Sequence, residues 1–341
     1  MPSYDYLISA RQINGKVFGG EPGPLSYIKI PSTSKSYDTS HIVKKKKKWA
    51  REIQGLADGD ENPNSISPTG DVLIFVHGYN NDIPIVLKRM RQLRRDLQAE
   101  GWRGEVIAFD WPSENSTLNY LEDRADAAKV AHSLVTEGID LLIQKQKNGC
   151  STNIHLLGHS TGAYVIMEAF AQAEKVGAYF KSDWRVGQVA LIGADVSTNS
   201  LNLTSDWSKP MFRRIMRLTN YSNPFDSVLA VSNAKRLGTS PRVGRHGLPD
   251  SHDRKAVNVD CGDHFKSLDP DGQPHFGSWP HSWHIGDRVF ARDLAMALEG
   301  AIDRNAIPTR RKTEAGLSLQ DAPRPQFMPH WDIKEGVRPI A

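Results

Sequence analysis

A mainly parallel α/β sheet with helices on both faces is the fold class this sequence predicts, and three observations predict it. Short apolar runs such as Val72-Leu-Ile-Phe-Val76 recur along the chain, as expected of central strands covered on both sides. Segments with helical spacing separate them, so successive strands need crossover connections. Between Asn153 and Met167 a strand, Ile154 to Leu157, runs through Gly158-His-Ser-Thr-Gly162 into a helical stretch, a tight turn that lifts a serine to the carboxyl edge of a sheet.

Taken in order, the first thirty residues alternate between polar and apolar and predict two or three edge strands, Tyr4 to Ser9, around Val17, and Tyr27 to Ile30. Residues 31–70 read as an irregular insertion with five lysines, Lys44 to Lys48. Such a run is a solvated face by default, and attraction to an anionic surface is the functional alternative. Val72 to Val76 then leads into His77-Gly78-Tyr79-Asn80-Asn81. Ile83, Val86, Leu87, Met90, Leu93 and Leu97 mark a helix over 83–98. Glu105 to Phe109 is the next strand, Leu118 to Lys147 a long helix stopped by Asn148-Gly149, and the serine turn follows.

Beyond the turn, Val186 to Ile192 ends in Gly193-Ala194-Asp195, and 197–216 is a candidate small lid. Arg217 to Tyr221 is a strand leading to Asn223-Pro224-Phe225-Asp226, Ser227 to Lys235 a helix, and Ala256 to Asp260 the last strand. Pro280-His-Ser-Trp-His284 precedes a final helix from Asp287 to Leu298. One domain therefore spans 1–302, and 303–341, rich in Pro and Arg, reads as an extended tail whose aromatic residues dock on the body.

With 341 residues and 39% hydrophobic content, the chain is long enough for a large core. No segment approaches a membrane span and the first residues lack a secretory pattern, so the expectation is a soluble cytoplasmic protein. Cys150 and Cys261 make no disulfide framework and stand in no metal-ligand spacing. A net charge of +4 does not argue for nucleic acid.

A serine hydroxyl is a poor nucleophile without a base, so Ser160 needs a histidine, an acid and an oxyanion site. In hydrolases built around such an elbow the order along the chain is serine, acid, histidine. Asp226 is the favoured acid, with Asp195 as fallback; helix capping is the structural alternative for Asp226, a role that asparagine fills equally. His264, His275, His281 and His284 all fall between the last strand and the last helix, and His281 is preferred, with His284 second. The backbone N–H groups of Thr161 and Tyr79 are the candidate oxyanion donors.

The stretches Phe75-Val-His-Gly-Tyr-Asn-Asn81, Asp110-Trp-Pro-Ser113, Gly158-His-Ser-Thr-Gly162, Tyr221-Ser-Asn-Pro-Phe-Asp226 and His281-Ser-Trp283 resemble the bacterial α/β-hydrolase family known as a domain of unknown function (number nine hundred), whose members are grouped with esterases and lipases. The resemblance runs from about residue 5 to 300 and implies Ser160 as nucleophile, Asp226 as acid and His281 as base. It departs from the family at Pro280, where glycine is usual, and at His284.

The expected activity is carboxylic-ester hydrolysis through an acyl-enzyme, with a small-molecule or lipid ester as partner and no metal or cofactor. A histidine base predicts activity lost as pH falls below about 6.5. A lipase or phospholipase is the alternative within the class, with Arg213, Arg214, Arg217, Lys235 and Arg236 available to an anionic group. An amidase uses the same machinery, and a hydrolase fold with an inert site would be a binding module.

Overall fold

The computed structural model describes residues 4–58, 71–113, 120–143, 153–175, 184–234, 240–272 and 274–325. Among these residues ten strands form one sheet. β1 (Tyr4–Asn14) and β2 (Val17–Pro31) are an antiparallel hairpin at one edge. β3 (Asp71–Val76), β4 (Gly104–Asp110), β5 (Ile154–His159), β6 (Val186–Ile192), β7 (Ile215–Ser222) and β8 (Ala256–Asp260) are parallel. At the other edge β9 (Arg310–Thr313) and β10 (Gly316–Leu319) form a second hairpin, with β10 running parallel to β8.

The apolar run of β3 is explained by its place in the middle of this sheet. Val72, Ile74 and Val76 join the core on one face, while Leu73 and Phe75 join the core on the other. Helices Lys46–Asp58, Tyr120–Ser133 and Thr161–Lys175 contribute to the first core. Ile83–Ala99 and Arg288–Glu299 contribute to the second. Both of these last helices start on an aspartate: Asp82 accepts the Ile85 N–H at 2.8 Å and Asp287 the Phe290 N–H at 2.7 Å. Among the described residues no helix is long and apolar enough to cross a membrane.

Three expectations need correction. The insertion at 31–70 contains the helix Lys46–Asp58, anchored by a fully buried Trp49 whose indole N–H donates to the Ile28 carbonyl at 2.9 Å. Polar composition hid it because only Trp49, Ala50, Ile53 and Ala57 face the core, while Lys44 to Lys48 are exposed. The long helix changes character: Tyr120–Ser133 passes into a π-helical segment, Leu134–Ile139, and then Asp140–Ile143. Its expected ends lie outside the described residues.

The candidate lid at 197–216 lies in the crossover from β6 to β7, its last two residues opening β7. It leaves the carboxyl end of β6 and arrives at the amino end of β7, with Leu201, Met211 and Phe212 buried on the way. Within the expected tail, residues 310–319 instead build the β9–β10 hairpin, while 326–341, with the aromatic residues expected to dock, lie outside the described residues. The hairpin's anchor is Arg310, fully buried, whose guanidinium meets the Asp293 carboxylate at 2.6 Å. A short, charged segment of this kind carries no strand periodicity, so nothing in its composition announced the pairing.

Candidate active site

Register brings the candidate residues together. Val76 of β3 is level with Gly158 of β5, His159 with Ile192 of β6, and Ile192 with Tyr221 of β7. The loops that follow these strands therefore emerge side by side at the carboxyl edge of the sheet.

Ser160 lies between β5 and the helix Thr161–Lys175 with φ at +56°. Asn80 is the other non-glycine residue with positive φ among the described residues. A serine in this left-handed region costs about 1 kcal/mol or more, and the surrounding structure must hold it there. Its N–H donates to the Ile192 carbonyl at 3.0 Å, and its own carbonyl accepts the N–H groups of Ala163 and Asp195, each at 3.1 Å.

The flanking glycines are required by close approach. A Cβ on Gly162 would lie 2.1 Å from the Val76 carbonyl oxygen, and one on Gly158 would lie 2.9 Å from the Ala163 backbone. Gly78 passes so near the serine that its Cβ would sit 2.6 Å from the Ser160 Cβ.

Asp226 is fully buried. One carboxylate oxygen accepts the Leu229 N–H at 3.0 Å, capping the helix Ser227–Ala234, and the other lies 2.6 Å from His281 Nδ1. Asn223 orders this loop: its carbonyl accepts the Asp226 N–H at 3.0 Å, and its amide donates to the Pro280 carbonyl at 3.0 Å, tying the acid loop to the base loop. The His281 ring covers Gly193, the residue after the Ile192 carbonyl that holds Ser160, with a Cβ there falling 3.0 Å from Cε1 and Nδ1. Ser160 and His281 thus meet consecutive residues, Ile192 and Gly193, at the carboxyl end of β6.

The fallback residues are engaged elsewhere. The Asp195 carboxylate pairs with Arg242 at 3.1 Å. His284 is buried, stacked on Trp283 with centroids 4.1 Å apart, and neither ring nitrogen has a hydrogen-bond partner among the described residues. Burial, reinforced by the charges of His281 and His264, pushes its pKa well down, so the ring is neutral. His264 pairs with Asp287 at 3.0 Å, and the exposed His275 meets the Pro270 carbonyl at 2.8 Å. His77 with Asp110 and His155 with Asp71 are further His–Asp pairs, at 3.0 and 2.9 Å. A pair is therefore common in this molecule, and His281–Asp226 is distinguished by its contact with Gly193, next to the Ile192 carbonyl that holds Ser160.

Thr161 is the first residue of its helix, so its N–H has no acceptor within that helix. The loop of Tyr79 is held by Asn81, whose amide donates to the carbonyls of Gly78 at 2.7 Å and Tyr79 at 2.9 Å. Beneath it, Asp110 accepts from Arg11 at 2.8 Å, from His77 at 3.0 Å and from the Tyr37 hydroxyl. Burial alone would raise the Asp110 carboxyl, but the charge of Arg11 and the bond from His77 outweigh it and hold the group well below the usual carboxylate range.

Several residues of this constellation escaped sequence reasoning. Asn81 and Asn223 stood in plain view inside the motifs, but nothing in the sequence says which carbonyls their amides reach. Arg89 carried a usable signal: it falls three residues after Val86 and four before Leu93, on the buried face of its helix, where an arginine is out of place.

A family model described as "Alpha/beta hydrolase of unknown function (DUF900)" matches residues 62–256. No curated protein matches the chain. Among solved structures it is similar to carboxyl esterase 2 (TmelEST2) from the mycorrhizal fungus Tuber melanosporum, with 12% identity over 87% of each chain and a TM-score of 0.39. It is also similar to the HSL-homolog EstE7 from a metagenome library, with 9% identity over 74% of this chain and 92% of the other and a TM-score of 0.38.

Proposed function

We propose, from the premise that this chain belongs to the family of alpha/beta hydrolases of unknown function, that it cleaves carboxylic esters as a serine hydrolase. The observation that carries the reading is Ser160 held at φ +56° at a strand-to-helix elbow, with the Asp226–His281 pair, 2.6 Å apart, at the neighbouring strand ends.

In this reading Ser160 Oγ attacks the acyl carbon while His281 Nε2 takes its proton. Asp226 accepts the Nδ1 proton of the same ring, which fixes the tautomer and stabilises the imidazolium. The N–H groups of Thr161 and Tyr79 receive the negative charge that develops on the carbonyl oxygen. Collapse of the tetrahedral intermediate expels the alcohol, which takes the proton from His281. A water, deprotonated by the same ring, then releases the acid and restores the serine.

One observation favours a lipid or long-chain ester as substrate. Phe225, beside Asp226, and Val228 and Val231, in the helix that follows it, are 40%, 38% and 54% exposed. Exposed apolar side chains next to the Asp226 loop suit an apolar acyl group better than a small polar one.

The test is covalent labelling with a fluorophosphonate. The wild type labels and Ser160→Ala, folded to the same melting temperature, does not. A folded wild type that fails to label overturns the reading and favours a binding module on a hydrolase fold; labelling retained in Ser160→Ala removes the serine from its role.

A further inference from the structure

We propose that Arg89 and His159 are positioning residues that fasten the loop carrying His281 to the nucleophile elbow; the proposal rests on the serine-hydrolase reading above.

Arg89 is 5% exposed, and no carboxylate among the described residues pairs with it. A buried guanidinium without a counter-ion is costly, and burial brings its pKa down to about 10. Its donors converge on one loop and one ring. They reach the Phe276 carbonyl, Ser282 Oγ at 3.4 Å and His159 Nδ1 at 3.4 Å. On its other side His159 Nε2 lies 3.1 Å from the His281 carbonyl.

A carbonyl only accepts, so Nε2 carries the proton and Nδ1 is the acceptor for Arg89. One neutral tautomer satisfies both contacts, whereas an imidazolium would turn an Nδ1 proton against the guanidinium. Burial first, then the charges of His281 and Arg89, push the His159 pKa well down, in agreement with that assignment. Phe276, His281 and Ser282 are thereby tied to the elbow and to the helix Ile83–Ala99, and Asn223 ties Pro280 to the acid loop at 3.0 Å.

The His159 ring also faces the His281 ring, with centroids 4.8 Å apart, so the ring that Arg89 and the His281 carbonyl hold in place is itself a surface against which the His281 ring rests.

The rate of fluorophosphonate labelling reads this directly. In Arg89→Met the rate is expected to fall about tenfold with the fold retained. His159→Leu lowers the rate about tenfold and His159→Gln, which still offers a donor to the His281 carbonyl, restores most of it; this second pair decides the matter if Arg89→Met does not fold. A folded Arg89→Met with the wild-type rate overturns the proposal, as do equal rates in the two His159 variants. Failure of the wild type itself to label would instead strike the serine-hydrolase reading.

Discussion

Each oxygen of the Asp226 carboxylate has its own task, one capping a helix through the Leu229 N–H and one meeting His281 Nδ1. The two tasks separate experimentally because asparagine caps as well as aspartate but cannot both accept the Nδ1 proton and supply the charge. Asp226→Asn should keep the melting temperature close to wild type while the fluorophosphonate labelling rate falls about a thousandfold or more. A labelling rate near wild type would leave Asp226 with capping alone. At this scale the sequence narrowed the base to four histidines and the acid to two aspartates. It could not choose by spacing, since the partners are 55 positions apart and their contact depends on where two loops end.

The elbow holds a strained serine because both of its ends are fixed. β5 is hydrogen-bonded on both sides by β3 and β6, and the helix Thr161–Lys175 is packed against the end of β3 at Gly162. Gly162→Ala places a methyl group against the Val76 carbonyl, which neither strand nor helix can yield without losing the elbow. It should destabilise the protein by at least about 2 kcal/mol in urea unfolding and abolish labelling. Wild-type stability would mean that the helix is free to shift. Elements of this kind were legible because apolar periodicity reports burial: Ile83, Val86, Leu87, Met90, Leu93 and Leu97 are all buried where the spacing placed them. Lys46–Asp58 was not legible, because one buried tryptophan and a few small residues suffice to dock a helix that is otherwise charged.

For the whole molecule, the β9–β10 hairpin closes one edge of the sheet and supplies the counter-ion of a buried acid. Asp293 accepts from Arg310, from the Thr309 hydroxyl at 2.6 Å and from the Tyr221 hydroxyl at 2.6 Å. Tyr221 lies near the end of β7, the strand that leads to the acid loop, so the last described strands are coupled to the site through one buried carboxylate. Arg310→Met would leave Asp293 buried and short of its partner, at about 3–5 kcal/mol of stability. The measurement is the urea midpoint, and a midpoint equal to wild type would show that the hairpin only borders the sheet.

By itself the sequence determined what is local: strands from continuous apolar runs, helices from their spacing, and the elbow from two glycines around a serine. Those features depend on neighbours within a few residues, which the chain order supplies. Only the tertiary structure decided that Asp226 meets His281, that Arg242 engages Asp195, that 197–216 lies in a crossover and that 310–319 joins the sheet. Each of these is a contact between distant segments, settled by strand register and by the need of buried charges for a partner.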